Sequence, residues 1–98
     1  MFSLEYSEEA ENKIKELKNK PSLEKRWKAV KKSLRFLMEN PRHPSLKTHE
    51  YTEFSRKYGL KIFQAYAENN TPRAYRIFFY YKNNRTLHIV DITPHPEM

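Results

Sequence analysis

An arginine and a histidine frame the last third of this 98-residue sequence. Arg76 lies near the start of an aromatic segment that ends at Tyr81, and His95 follows a second apolar segment that begins at Leu87. A guanidinium presents a planar set of donors that fits the oxygens of a phosphate, and an imidazole exchanges a proton near neutral pH. In a chain of formal net charge +7, this pair points to chemistry on a phosphate group.

The turn between the two segments predicts which side chains meet. If Asn83-Asn84 forms a two-residue hairpin turn, Lys82 pairs with Arg85 and Arg76 lies opposite Asp91. His95 then continues the Arg76 side of the sheet. One face is predicted to carry Arg76, Phe78, Tyr80, Leu87, Ile89, Asp91 and Thr93, and the other Tyr75, Ile77, Phe79, His88, Val90 and Ile92.

Two alternatives to a chemical role follow from the same pattern. Arg76 opposite Asp91 would also form an ordinary cross-strand ion pair. His95 would be frayed if the end of the chain is poorly ordered. The predicted constellation depends on the turn, because a slip of one residue exchanges the two faces of one strand.

The charge balance narrows the class of partner. The sequence has 19 Lys+Arg against 12 Asp+Glu and a pI near 9.7. This excess favours a polyanion: a nucleic acid, the ribosome, an acidic protein segment or an anionic membrane surface. The length fits a single domain spanning residues 1–98.

Other features of the composition exclude whole classes of site. Cysteine is absent, so neither disulfides nor thiolate zinc sites are expected. The single glycine, Gly59, argues against a glycine-rich phosphate loop. No spacing of the four histidines matches a familiar zinc pattern, and we expect neither a metal nor a cofactor. The N-terminus lacks the pattern of a signal peptide and no apolar run spans a membrane, so a cytoplasmic location is expected.

Hydrophobic spacing predicts the elements that position these residues. Alternation over Phe2 to Tyr6 predicts a first strand, and Ser7 is typical of a helix N-cap. The chain restarts at Pro21, and a second amphipathic helix should end before Pro41, with an apolar stripe of Leu23, Trp27, Val30, Leu34 and Leu37. Residues 41–59 are predicted to be a loop with a short helical turn over 52–58. Strands are predicted at about residues 60–67, 74–82 and 85–92.

The predicted order is therefore β-α-α-β-β-β. We expect an α+β fold in which two N-terminal helices pack on a mostly antiparallel four-stranded sheet.

This ordering resembles that of the RelE/ParE superfamily of toxins from bacterial toxin-antitoxin modules. Three stretches, residues 2–17, 34–49 and 60–95, carry the likeness and span nearly the whole chain. Its most specific pieces are Glu39-Asn40-Pro41-Arg42 followed by Leu46-Lys47, and Ala74-Tyr75-Arg76-Ile77 at the start of a strand.

The resemblance implies a RelE-like mRNA interferase, an endoribonuclease that acts without metal on mRNA at the ribosome. The ParE branch implies a gyrase inhibitor without catalysis. In either branch an acidic antitoxin neutralises the toxin. A third interpretation, from charge and aromatic content alone, is a basic module that binds RNA or the ribosome without chemistry.

Metal-free RNA cleavage requires a base for the 2′-hydroxyl, a cation for the phosphorane and an acid for the leaving oxygen. The resemblance assigns charge stabilisation to Arg76, proton transfer to His95 and a basic contribution to Lys61. Where RelE has a second lysine after that position, this chain has Ile62 and Phe63. Contacts to RNA are expected from Lys47, His49, Arg73 and Tyr80, and Tyr66 is a further ring on which a base could stack.

Overall fold

Two helices cover one face of a five-stranded sheet, and a third, short helix covers part of the other. The computed structural model describes residues 1–68 and 73–94. The elements in chain order are β1 (Ser3–Tyr6), α1 (Glu8–Asn19), α2 (Glu24–Glu39), β2 (His49–Glu50), α3 (Thr52–Tyr58), β3 (Phe63–Tyr66), β4 (Tyr75–Tyr81) and β5 (Thr86–Pro94). The strand order is β1-β5-β4-β3-β2, in which β1 is parallel to β5 and the other pairs are antiparallel.

The predicted α+β class is confirmed, but the predicted count of elements is wrong. A two-residue strand, β2, adds a fifth member at the edge of the sheet. The helical turn predicted over 52–58 is confirmed and forms a third helix, α3, which the predicted fold did not count. The sheet is also mixed, because β1 runs parallel to its neighbour.

The predicted start of α1 is confirmed in detail. The Ser7 hydroxyl accepts a hydrogen bond from the Ala10 backbone N–H at 3.0 Å and donates one to the Val90 carbonyl at 2.6 Å. Acidic side chains follow in the first turn, where the helix dipole favours them. Ser7 therefore caps the helix and ties it to β5. No helix in the described ranges 1–68 and 73–94 is long and apolar enough to cross a lipid bilayer.

Each face of the sheet has its own apolar cluster. The larger cluster lies under α1 and α2 and includes Leu17, Val30, Leu37, Ile77, Phe79, Leu87, Ile89 and Ile92. The smaller lies under α3 and contains Tyr51, Ile62 and Phe78, with Phe54, Tyr80 and Val90 packed around them. We call the second face the α3 face.

The predicted two-residue hairpin turn is wrong. Asn83, Asn84 and Arg85 form a three-residue loop closed by a hydrogen bond from the Lys82 N–H to the Thr86 carbonyl at 2.9 Å. Because this shifts the register by one residue, Leu87 and Ile89 face the helices, contrary to prediction, while His88 and Val90 face away from them.

A bulge in β5 shifts the register again further along the hairpin. Phe79 pairs with Ile89, but Phe78 pairs with Asp91, so Val90 is the extra residue. Beyond the bulge Arg76 lies opposite Thr93, and the predicted Arg76–Asp91 pair is wrong. The bulge nevertheless keeps Asp91 and Thr93 on the Arg76 face, as predicted.

Candidate functional site

Arg76 is half-buried on the α3 face, and two of its nitrogen donors lack a hydrogen-bond partner among the described residues. Its guanidinium lies over the ring of Tyr66, its direct neighbour on β3, at 4.6 Å from the ring centroid. Its Nε and Nη1 atoms are buried and make no hydrogen bond to any residue in 1–68 or 73–94. Buried donors on a charged group cost free energy when they remain unpaired. The tyrosine ring therefore orients the guanidinium, while Nε and Nη1 have no hydrogen-bond acceptor among the described residues.

Asp91 does not neutralise this charge. It lies opposite Phe78, two residues from Arg76, and its Oδ1 accepts a hydrogen bond from the Ile92 N–H at 2.8 Å. Among the described residues, no carboxylate forms an ion pair with Arg76. The simple explanation of Arg76 as half of a cross-strand ion pair therefore fails within this part of the chain.

His49 joins Arg76 through Tyr66. It pairs with Gln64 in the β2–β3 register, and its ring lies 6.0 Å from that of Tyr66 between centroids. Its Nδ1 is 2.8 Å from the Lys47 carbonyl oxygen. Since a carbonyl only accepts, Nδ1 donates, and Nε2 has no hydrogen-bond partner among the described residues.

The loop before β2 has the conformation needed to present Lys47 and His49. Lys47 adopts a left-handed conformation with φ of 49°, which turns the chain after the buried Leu46. The Thr48 hydroxyl holds the loop by donating to the Pro41 carbonyl at 2.6 Å. Lys47 and His49 are exposed at the edge of the sheet, where the His49 ring lies beside that of Tyr66.

These residues define one region, which we call the arginine surface. Arg73, exposed just before β4, lies at the same end of that strand as Arg76. Of the residues predicted to contact RNA, Lys47, His49 and Arg73 thus lie at the Arg76 end of the sheet. The arginine surface comprises Lys47, His49, Gln64, Tyr66, Arg73 and Arg76. Gln64 was missed by the sequence analysis, although a single amide within the run Ile62-Phe63-Gln64-Ala65 is a detectable signal.

Two predicted residues lie elsewhere. Lys61 is exposed before β3, five residues from Tyr66 along the chain, or about 16 Å at the rise of a strand. Tyr80 lies at the same far end, opposite His88, with ring centroids 5.0 Å apart. The structure therefore does not bring Lys61 or Tyr80 to Arg76. His95 lies outside the described residues.

The far end of the α3 face contains a cavity of about 340 Å³, which we call the acidic cavity. Two carboxylates and two tyrosine rings contribute to its lining, which comprises Ser7, Glu9, Tyr58, Leu60, Ile62, Tyr80, His88, Val90 and Asp91. His88 is already paired: its Nδ1 lies 2.7 Å from Glu5 Oε1. Hydrogen bonds from Lys82 and then His88 lower the pKa of Glu5, so this carboxylate stays ionised beside the cavity.

The phenol of Tyr51 interacts electrostatically with the positive charge of Arg76. Burial raises the pKa of Tyr51, as does the hydrogen bond that its hydroxyl donates to Glu53 at 2.9 Å, whereas the Arg76 charge acts in the opposite sense. With a raised pKa, the phenol is neutral at physiological pH. It therefore does not cancel the positive charge of the arginine surface.

No family model, curated protein or solved structure matches this chain. Within residues 1–68 and 73–94, no three histidine, aspartate or glutamate side chains are grouped to hold a metal ion.

Proposed function

We propose that this protein is a toxin of the RelE/ParE type that cleaves mRNA as an endoribonuclease. The observation that carries the proposal is the half-buried guanidinium of Arg76, whose Nε and Nη1 have no described partner. A phosphodiester supplies anionic oxygens that fit these donors and compensate the charge. The ring of Tyr66, stacked on the guanidinium, keeps the donors in position.

The arrangement of elements supports this assignment. Apart from the two-residue β2 and the seven-residue α3, which lie between α2 and β3, the chain follows the order β-α-α-β-β-β. This is the order that the sequence shares with RelE/ParE toxins. The two extra elements carry His49 and cover the α3 face beside Arg76, so they belong to the construction of the proposed site.

The residues suggest a division of labour for cleavage. The 2′-oxygen attacks the adjacent phosphorus while its proton passes to Nε2 of His49, and Arg76 stabilises the charge that develops on the phosphorane oxygens. The bond to the 5′-oxygen breaks, and that oxygen takes a proton from an acid, for which His95 is the candidate by resemblance. The products are a 2′,3′-cyclic phosphate and a 5′-hydroxyl. Lys61 has no step in this scheme because of its distance from Arg76.

A basic module that binds RNA without cleaving it is the second candidate. The separation of Lys61 and Tyr80 from Arg76 favours it, since a nuclease by resemblance would use Lys61 at the reacting phosphate. Binding alone needs only the positive charge and the rings of the arginine surface.

The proposed partner is an acidic antitoxin segment. A groove of about 240 Å³ lies between α2 and the edge of β3, and its lining includes Lys32, Phe36, Leu46 and Tyr66. Phe36, Leu46 and Lys32 suit an amphipathic acidic peptide, in the manner of helix-in-groove recognition. A peptide seated there would lie next to the arginine surface through Tyr66.

The test is a cleavage assay on end-labelled RNA, with and without ribosomes. We expect fragments that end in a 2′,3′-cyclic phosphate, and we expect His49→Gln to slow cleavage by about a hundredfold, the usual scale for loss of a general base. His43→Gln is the matched control, because His43 lies in the same loop but stacks on Phe36 at 4.1 Å instead of facing Tyr66.

Intact RNA in the presence of folded protein would contradict the nuclease. Salt-dependent RNA binding without cleavage would support the binding module in its place. Inhibition of gyrase supercoiling with no effect on RNA would instead favour the ParE branch.

A further inference from the structure

Gln64 is a buried polar residue at the centre of the arginine surface. Its side chain is only 4% exposed, and its Oε1 has no hydrogen-bond partner among residues 1–68 and 73–94. Buried amide oxygens are nearly always paired, because an unpaired acceptor loses its hydration without compensation. An orphan of this kind at a candidate site calls for a donor from outside the described protein.

The sheet register places Gln64 near Arg76, whose Nε and Nη1 also lack described partners. Gln64 pairs with Phe78 and Tyr66 pairs with Arg76, so Gln64 and Arg76 are diagonal neighbours on one face. Diagonal neighbours on adjacent strands lie about 7–8 Å apart, within reach of two long side chains that converge on one group. One acceptor and two donors without described partners therefore belong to diagonal neighbours on one face of the sheet.

A phosphate alone does not satisfy this set. Its oxygens accept hydrogen bonds from the guanidinium but have no proton to give to the Gln64 oxygen. A hydroxyl next to the phosphate does. In RNA the 2′-hydroxyl is attached to the carbon adjacent to the one that carries the 3′-phosphate, whereas DNA lacks that hydroxyl. A ribonucleotide can therefore bind both the Arg76 donors, through its phosphate, and the Gln64 acceptor, through its 2′-hydroxyl. A deoxyribonucleotide can bind only the Arg76 donors.

We infer that Gln64 accepts a hydrogen bond from the 2′-hydroxyl of the ribose whose 3′-phosphate binds Arg76, and so makes the arginine surface selective for RNA over DNA. This inference rests on the proposed RNA-binding function, but it does not require cleavage. The 2′-hydroxyl is the group by which proteins distinguish the two nucleic acids.

The test compares three ligands of one sequence: a short single-stranded RNA, its DNA counterpart and its 2′-O-methyl counterpart. Affinities are measured by fluorescence anisotropy at one fixed salt concentration, because phosphate binding depends strongly on salt. The wild-type protein is expected to bind the RNA about tenfold more tightly than the other two, since neither has a 2′-hydroxyl that donates and the buried acceptor then stays unpaired.

Gln64→Met tests the residue itself. Methionine has a similar shape but no amide, so RNA affinity should fall to the DNA level while DNA affinity stays unchanged. The variant should also unfold at a temperature no lower than the wild type, because an apolar side chain replaces an unpaired acceptor. If the methionine variant does not fold, Gln64→Leu serves the same purpose. Arg35→Met, a loss of charge on α2 across the sheet, is the control for fold and net charge.

The outcomes separate this inference from the proposed function. Equal binding of RNA and DNA by the wild type would overturn the inference that Gln64 recognises the 2′-hydroxyl, but would leave the proposed RNA binding intact. Discrimination that survives in Gln64→Met also overturns it. Failure of the wild type to bind either nucleic acid at low salt overturns the proposed function itself. A Gln64→Met protein that loses affinity for both ligands equally assigns Gln64 to packing only.

Discussion

The two ends of the α3 face contain similar residue types, but the basic side chains have anionic partners at only one of them. Each has a histidine next to a tyrosine, and each has a cationic side chain nearby. At the arginine surface the guanidinium of Arg76 has buried donors without described partners. At the acidic cavity His88 is 2.7 Å and Lys82 is 2.8 Å from the same glutamate, Glu5. Composition alone does not distinguish the two ends; the pairing of their charges does.

This difference predicts which ligand each end would accept. Glu9 and Asp91 repel a phosphate at the acidic cavity, and both Lys82 and His88 already contact the carboxylate of Glu5. At the other end, the positive charge meets no described carboxylate. We therefore expect RNA to engage the arginine surface and to avoid the cavity, in spite of the tyrosine rings at both.

The largest expected effect distinguishes an unpaired cation from a paired one. Arg76→Met should weaken binding of single-stranded RNA by about 1.5–3 kcal/mol, the scale of hydrogen bonds to charged groups. Lys82→Met removes the same charge at the other end, and because its partner is Glu5, RNA affinity should change little. Titrations at several salt concentrations make the comparison, and the salt slope should fall for Arg76→Met. Equal losses in the two variants would mean that net charge, and not the site, controls binding.

The two tyrosines give the next contrast. Tyr66→Ala should cost about 1–3 kcal/mol of RNA affinity if one base stacks on that ring. Tyr80→Ala should cost less, since its ring lies against His88 within the acidic cavity. Anisotropy measurements on variants that retain a cooperative thermal transition provide the check. A larger loss for Tyr80→Ala would mean that the base stacks at the acidic cavity, which would contradict binding at the arginine surface.

The smallest effect concerns acid stability at the acidic cavity. Hydrogen bonds from Lys82 and His88 hold the pKa of Glu5 below its ordinary value of 4.5. A depressed carboxyl pKa stabilises the fold above the unfolded value, and this contribution disappears as the pH falls through the folded value. Wild type should therefore be slightly more stable than Glu5→Gln at neutral pH, with the difference vanishing at acidic pH.

Thermal unfolding of both proteins, from neutral pH to well below 4.5, measures this difference. Glu16→Gln, which alters an exposed pair on α1, is the control. A difference that grows on acidification would contradict the assigned sign.

Parts of the arginine surface could be predicted from the sequence. Arg76 was identified from its aromatic strand, and Lys47, His49 and Arg73 as basic residues near it. Gln64 was overlooked because one amide in an apolar strand is usually packed, and only its unpaired oxygen distinguishes it. The association of Lys61 with Arg76 was wrong in position, because the pairing of β3 with β4 sets them at opposite ends.

The hairpin shows why register is harder to predict than alternation. The buried side chains of β5 that face the helices are Leu87, Ile89 and Ile92, at spacings of two and then three. A regular strand cannot bury all three on one face, so burial requires the extra residue at Val90. The irregular spacing was visible in the sequence. The local preference of Asn83-Asn84 for a tight turn is weaker than the stabilisation from burying these three large side chains, so the longer loop forms.

The sequence by itself determined the elements whose causes are local. The Ser7 cap, the stripe of α2 and the helical turn at 52–58 depend on residues a few positions apart, and their energetics are complete within one turn. Only the tertiary structure decided which charges find partners, because Glu5 meets His88 and Tyr66 meets Arg76 through pairings between distant strands. Whether a guanidinium is paired depends on everything packed around it, and no short stretch of sequence specifies that.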